Sequence, residues 1–348
     1  MAKNRYGWQK RAKELARKQK NEDKMKRRQG KALEPSVAEL PEAVDGSHLV
    51  DTLVAQGNEV LVIDSLCAGR RETIARHIDS CKVRFVEKDL LGDGWQDTIQ
   101  GADRLFHLAA DPDVRQSAVN PYPTMQNNIM ATYRVLEAMR LHKVPELVFT
   151  STSTVYGDAT VIPTPETYTP LEPISVYGAS KLSCEALISA YCHSFGMKSW
   201  IFRFANIIGS RSGHGVITDF IRKLEKNPAE LEILGDGKQT KSYLEVHECI
   251  AAMLFAVGHS SGTVNTFNIG SEDWIDVKSI AEIVTEEMHL PHTRFTFTGG
   301  ERGWVGDVPK MQLAVDRIKT LRWKPQLGSR ESIRIAVKAM LAERQQTV

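Results

Sequence analysis

The stretch Leu147-Val-Phe-Thr-Ser-Thr-Ser-Thr-Val-Tyr-Gly157, the helical pattern from Tyr177 to Phe195 and the run Trp200-Ile-Phe-Arg-Phe204 follow one another in the chain. Each apolar run is continuous rather than alternating, as in a strand buried on both faces, and the helix between them is the crossover that parallel neighbours require. Upstream, Glu59-Val-Leu-Val-Ile-Asp64, Val83 to Val86 and Leu105-Phe-His-Leu-Ala-Ala110 repeat the strand pattern, with helical spacing over Ser47 to Gln56 and Tyr122 to His142. Strands alternating with helices predict an α/β fold with a doubly wound parallel, Rossmann-like sheet. Past residue 210 the pattern is mixed and punctuated by Gly and Pro. A short strand is expected at Leu231 to Leu234, with helices near 248–258, 276–289, 311–320 and 330–343. This is read as a smaller C-terminal substrate-binding part forming the far wall of a cleft.

With 348 residues, 42% hydrophobic and 25% charged, the chain has ordinary globular composition, which excludes disorder throughout, collagen and mini-protein scaffolds. Apolar runs such as Ile250 to Val257 fall far short of the roughly 20 residues that cross a bilayer, and no apolar stretch marks the N-terminus. A soluble, cytoplasmic protein with no membrane partner is expected. Cys67, Cys81, Cys184, Cys192 and Cys249 contain no C-x-x-C pair, so they are read as reduced packing residues, with no metal site.

The net charge of +2 hides an asymmetry: residues 1–31 hold 13 of the 45 Lys and Arg but only 3 of the 43 Asp and Glu. This stretch has good helix formers and almost no apolar face, so it cannot bury enough surface to fold alone. It reads as a poorly ordered, solvated basic arm; attraction to nucleic acid is the other reading, disfavoured because no aromatic residues interleave with the charge. The expected division is residues 1–45 as the arm and its continuation, 46–210 as a dinucleotide-binding domain lacking its first strand, and 211–348 as mainly substrate-binding.

Gly46-Ser-His-Leu-Val, Val62-Ile-Asp64, Phe106-His-Leu-Ala-Ala110, Thr150-Ser-Thr-Ser-Thr-Val-Tyr-Gly157, Tyr177-Gly-Ala-Ser-Lys181, Arg203-Phe-Ala-Asn206, Gly235-Asp-Gly237 and Gly306-Asp307 occur in that order. Together they resemble the extended short-chain dehydrogenase/reductases, in particular the NAD-dependent nucleotide-sugar epimerase/dehydratase family, over residues 46 to about 340. A Tyr and a Lys four apart share a helical face, so the Lys181 ammonium can lower the pKa of the Tyr177 phenol and make it a general base. The resemblance implies that Tyr177 takes the proton from a sugar hydroxyl while hydride passes to nicotinamide, that Lys181 also binds the cofactor ribose, and that Thr152 holds the reacting oxygen. Asp64, ending its strand, suits the adenosine ribose hydroxyls of NAD and would repel the phosphate of NADP. Asp89 and Leu90 match the family's adenine contacts, Ala109 and Ala110 give a small-residue bed, and Gly46 is the third glycine of the family's phosphate loop. Asn206, Lys241 and Arg302 are candidates for the nucleotide diphosphate of a substrate expected to be a UDP-sugar. Resembling proteins are commonly homodimers through helices near 122–142 and 177–195.

Sugar dehydratases of this type carry Asp-Glu directly before Val-Tyr-Gly, because eliminating water needs an acid and a base. Ser153 and Thr154 stand there, which favours reversible oxidation and reduction at C4. The start departs from the family. An apolar strand and a glycine-rich turn are expected before Gly46, where Glu39-Leu-Pro-Glu-Ala-Val-Asp45 stands instead; the missing strand would be central to the sheet. Three readings follow: a working epimerase with an unusual cofactor site, a non-catalytic sugar-nucleotide-binding or dimerising homologue, and a chimeric or truncated product without selected function.

Overall fold

The computed structural model describes residues 46–300 and 310–346. In chain order the strands are β1 (Val60–Asp64), β2 (Val83–Glu87), β3 (Arg104–His107), β4 (Glu146–Thr152), β5 (Lys198–Phe204), β6 (Asn206–Ile208), β7 (Glu230–Ile233), β8 (Thr240–Lys241), β9 (Tyr243–Glu245), β10 (Val264–Ile269), β11 (Ile275–Asp276), β12 (Arg294–Phe297) and β13 (Lys310–Met311). The helices are α1 (Gly46–Ala55), α2 (Ala75–Asp79), α3 (Val114–Val119), α4 (Pro121–Thr124), α5 (Ala131–His142), α6 (Val176–Phe195), α7 (Val216–Lys226), α8 (Val246–His259), α9 (Val277–Glu287), α10 (Asp316–Thr320) and α11 (Ser329–Gln346).

Strands β10, β5, β4 and β3 form one parallel sheet in that order. Successive side chains of a strand point to opposite faces. Leu147, Phe149 and Ile201 accordingly pack with Leu136 and Met139 of α5 and Ile188 of α6. Val148, Trp200 and Phe202 pack on the other face with Met253 and Ala256 of α8. Both faces are covered, which is why these strands read as unbroken apolar runs. The observed fold is therefore the α/β, Rossmann-like parallel architecture.

Four features depart from the sequence reading. The expected helix 122–142 is α4, a π-helical turn over Met125–Met130 and α5 in succession. Residues 311–320 begin as strand β13 and become helical only at Asp316. Strand β10 returns the chain to the main sheet beyond residue 210; its Asn265 and Asn268 are buried and hydrogen-bonded, so it lacks the apolar signature of its neighbours. Cys67 and Cys81 are exposed, so only Cys184, Cys192 and Cys249 are packing residues.

Beyond the main sheet, α7, α9, α11 and β7 enclose a separate apolar cluster that includes Ile217, Phe220, Ile233, Ile280 and Val337. Small sheets β6–β9, β12–β7 and β11–β8–β13 complete this part among the described residues.

Strands β1 and β2 pair parallel to each other as a separate sheet. Helix α1 lies across the division: Leu49 and Leu53 pack with Phe106 and Leu108, while Val50 and Val54 pack with Val60 and Val62. Among the described residues, no strand joins β1 to β3.

Candidate active site

Parallel strands bring their carboxyl ends to one rim, the usual place for a site in an open α/β sheet. Thr152 is the last residue of β4 and caps the short 3₁₀ turn Ser153–Tyr156, accepting the Thr154 backbone N–H at 3.2 Å. Gly157 then takes φ 64°, and a side chain there would collide with the Glu172 carbonyl, so this turn requires glycine. The chain comes back as α6, whose first turn is capped by Ser175 accepting the Gly178 N–H at 3.0 Å. That turn carries Tyr177, and the next carries Lys181. The Tyr177 phenol lies close enough to Thr152 for the two side chains to interact, and both residues are buried. The structure thus brings Thr152 and Tyr177 together, with Lys181 one helical turn along.

The electrostatics correct one expectation. The Tyr177 pKa is raised well above its ordinary value, chiefly by burial; the neighbouring Thr152 hydroxyl opposes this and the Asp111 carboxylate adds to it. The Lys181 Nζ donates to the Thr150 carbonyl at 2.8 Å and lies 4.7 Å from the centroid of the Phe149 ring. Burial brings Lys181 down to about 8. His107, at the end of β3, is pushed down to about 3 by burial and then by the Lys181 charge.

Several groups escaped the sequence reading. Asp111 follows Ala109 and Ala110 off the end of β3; its N–H donates to Asn128 Oδ1 at 2.7 Å, and its Oδ2 accepts from Thr124 at 2.9 Å. Asn128 also donates to Ser180 Oγ at 2.8 Å, fixing the β3 exit against α6. Asn128 sits in the π-helical turn, an irregularity frequent at functional sites. A second network lies behind Thr152: Ser151 donates to Glu185, which is paired with Arg203 at 2.7 Å. Arg203 donates to the Tyr156 hydroxyl at 3.0 Å, and Tyr156 donates to Asn268 at 2.7 Å. The available signal was Glu185 four residues beyond Lys181, on the same helical face.

Asp64 ends β1 with one carboxylate oxygen accepting the Leu66 N–H at 2.6 Å and the other lying against Gly69, where a Cβ would come within 3.0 Å. Asp89 accepts the Leu91 N–H at 2.8 Å, and Leu90 packs on the main core. Gly46 opens α1 beside Leu108. Asn206 donates to the Ser242 carbonyl at 3.3 Å, next to Lys241 on β8. Arg302, the Gly306-Asp307 pair, residues 39–45 and the basic arm lie outside the described residues. Among the described residues no acidic, His or Cys group is arranged to hold a metal ion, and no helix is long and apolar enough to cross a membrane.

A parallel α/β sheet with a Tyr-x-x-x-Lys helix set against a threonine at a strand end defines a short-chain dehydrogenase/reductase type of site. Residues 43–270 match the model of the NAD dependent epimerase/dehydratase family, and the chain belongs to that family. It is 30% identical over 302 residues to a putative UDP-glucose 4-epimerase of Methanocaldococcus jannaschii, covering 85% of this chain and 94% of that protein. It is 28% identical to UDP-glucuronic acid decarboxylase 1 of Arabidopsis thaliana, covering 83% of this chain and 65% of that protein. A crystal structure of a UDP-galactose 4-epimerase superposes with a TM-score of 0.77 at 40% identity, covering 86% of this chain and 95% of that one.

Proposed function

We propose that this chain is an NAD-dependent epimerase acting at C4 of a nucleotide sugar, most simply a UDP-sugar. The observation that carries this reading is the juxtaposition of buried Tyr177 with Thr152 at the end of β4, with Lys181 one turn along α6. The described residues fit the two ends of NAD: the Asp64 carboxylate at the rim of β1 suits a ribose diol, and Lys181 and Tyr177 suit the nicotinamide ribose. Bound NAD would supply the hydride acceptor. Thr152 would hold the C4 hydroxyl oxygen by hydrogen bonding, and Tyr177 would take that hydroxyl's proton as the C4 hydride leaves and give it back to the same oxygen once hydride has returned to the opposite face of C4. Buried and facing Asp111, the phenol is a poor base until positive charge stands near it. Lys181, one turn along the same helix, is proposed to supply that charge on turning from the Thr150 carbonyl. Ser153 and Thr154 put no carboxylate beside the site, which supports epimerisation over elimination or decarboxylation. Asn206, Lys241 and Arg302 are proposed for the diphosphate, with residues 211–348 supplying most of the substrate's surroundings. Incubation with NAD and UDP-glucose tests the reading: UDP-galactose should form, and Tyr177→Phe should nearly abolish its formation.

The sequence before Gly46 favours a second reading, a homologue that binds sugar nucleotides or dimerises without turnover. Glu39-Leu-Pro-Glu-Ala-Val-Asp45 lacks the glycines that let a backbone approach a pyrophosphate, and its carboxylates repel one. Calorimetric titration with NAD separates the two readings: micromolar binding supports the enzyme, and absence of binding supports the homologue.

A further inference from the structure

Three residues beyond β6, Arg211 turns back onto helix α1. Its guanidinium donates to the Ser47 hydroxyl at 2.7 Å and to the Asp51 carboxylate at 3.0 Å, two contacts one helical turn apart. The hydroxyl of the preceding residue, Ser210, lies 3.1 Å from His48 Nε2 on the same helix. The Arg211 backbone N–H donates to Glu343 of α11 at 2.9 Å. Asp51 also lies 2.6 Å from His77 Nε2 and 2.7 Å from the Arg76 guanidinium, both on α2. Burial pushes the Asp51 carboxyl up, but hydrogen bonds from Arg76, His77 and Arg211 outweigh it and hold the group below its ordinary value. Arg211 keeps φ at 62°, a left-handed conformation that a non-glycine residue holds where its surroundings fix it.

This clasp supplies what the apolar contacts of α1 do not. Leu49, Val50, Leu53 and Val54 seat the helix by burial, which is non-directional and leaves its rotation and its position along its axis loosely set. Two directional bonds one turn apart fix both. Each partner's side chain is only 21% exposed, so the Arg211–Asp51 pair is screened less than a surface pair. Gly46 opens the same helix, and the placement of α1 therefore decides where that end of the proposed cofactor site stands relative to Tyr177 and Lys181.

We propose that Arg211 is a positioning residue for the cofactor: it sets the placement of α1 through Ser47 and Asp51, and so the chain's hold on the diphosphate of NAD, without touching the reacting atoms. The proposal rests on the NAD-dependent reading. Calorimetric titration of the full chain with NAD tests it, comparing the parent with Arg211→Met and Arg211→Lys. Asp51 keeps Arg76 and His77 in both variants, so no charge is stranded. Methionine should weaken NAD binding by about tenfold or more, the scale of one lost charge-assisted bond. Lysine keeps the charge without the planar fork and should recover part of that loss. In turnover of UDP-glucose the KM for NAD should rise in parallel, with kcat at saturating NAD lowered less than about threefold, whereas a general loosening of the fold lowers both. Asp51→Asn weakens the other end of the clasp, should act in the same direction, and replaces the methionine variant if that chain does not fold. Equal NAD affinity in parent and variant, or a fall in kcat as large as the rise in KM, would overturn the proposal. A parent that binds NAD without turnover would sink the enzymatic reading alone, with the affinity difference still supporting the role of Arg211; a parent that binds no NAD would overturn both.

Discussion

His107 and Lys181 show how burial beneath the sheet's rim sets protonation states. The His107 ring is hydrogen-bonded to Thr132 at 2.9 Å and held down to about 3 against an ordinary 6.5. The folded protein therefore keeps it neutral, while the unfolded chain takes up a proton as pH falls through 6.5. By linkage this residue's contribution to stability is fully present above 6.5 and is lost progressively as pH falls toward about 3. Nuclear magnetic resonance of the ring protons is the check: His107 should not titrate between pH 5 and 8, and a midpoint near 6.5 would show the ring to be solvated. Lys181 has the same sign in another window, since its folded value of about 8 lies below the ordinary 10.5 and its contribution rises between them. The spacing of Tyr177 and Lys181 was legible in the sequence because a helix places every fourth residue on one face. The direction of the Tyr177 shift was not, because it depends on burial and on Asp111, which reaches the site through β3.

At the scale of elements, α6 is joined to β4 and β5 by the buried Glu185–Arg203 pair. Glu185 is one turn beyond Lys181, and Ser151, its other partner, precedes Thr152. Removing one member of a buried pair leaves an uncompensated charge. Glu185→Ala should therefore destabilise the fold by about 3–5 kcal/mol, measured by denaturant unfolding. A loss below about 1 kcal/mol would mean that water reaches Arg203 and the pair behaves as an exposed one. Strands β4 and β5 were readable from sequence because burial on both faces leaves an unbroken apolar run. Strand β10 was not, since Asn265 and Asn268 spend their side-chain hydrogen bonds on neighbouring backbone, a compensation visible only once the strands are adjacent. The π-helical turn at Met125–Met130 was likewise hidden, because it does not disturb the helical spacing enough to be seen.

Among the described residues, exposed apolar side chains gather on one set of helices. Val119, Tyr122 and Leu141 are 76%, 68% and 63% exposed, and with Met130, Tyr133 and Phe195 they place apolar surface on the helices between 114 and 142 and on α6. Exposed apolar surface of this kind is what a partner covers, and a homodimer through these helices is the expected arrangement. Sedimentation velocity should show a dimer that Leu141→Asp converts to monomer; a monomeric parent chain would contradict it. The proposed roles of Thr152, Tyr177 and Lys181 fall on β4 and α6, and the proposed hold on NAD falls on β1 as well. The most direct measurement is therefore turnover by the full chain at saturating NAD, started separately from UDP-glucose and from UDP-galactose, with Tyr177→Phe alongside. The account predicts that both reactions converge on the same mixture and that the phenylalanine variant yields almost none; a 4-keto-6-deoxy product, or undiminished conversion by that variant, would contradict it.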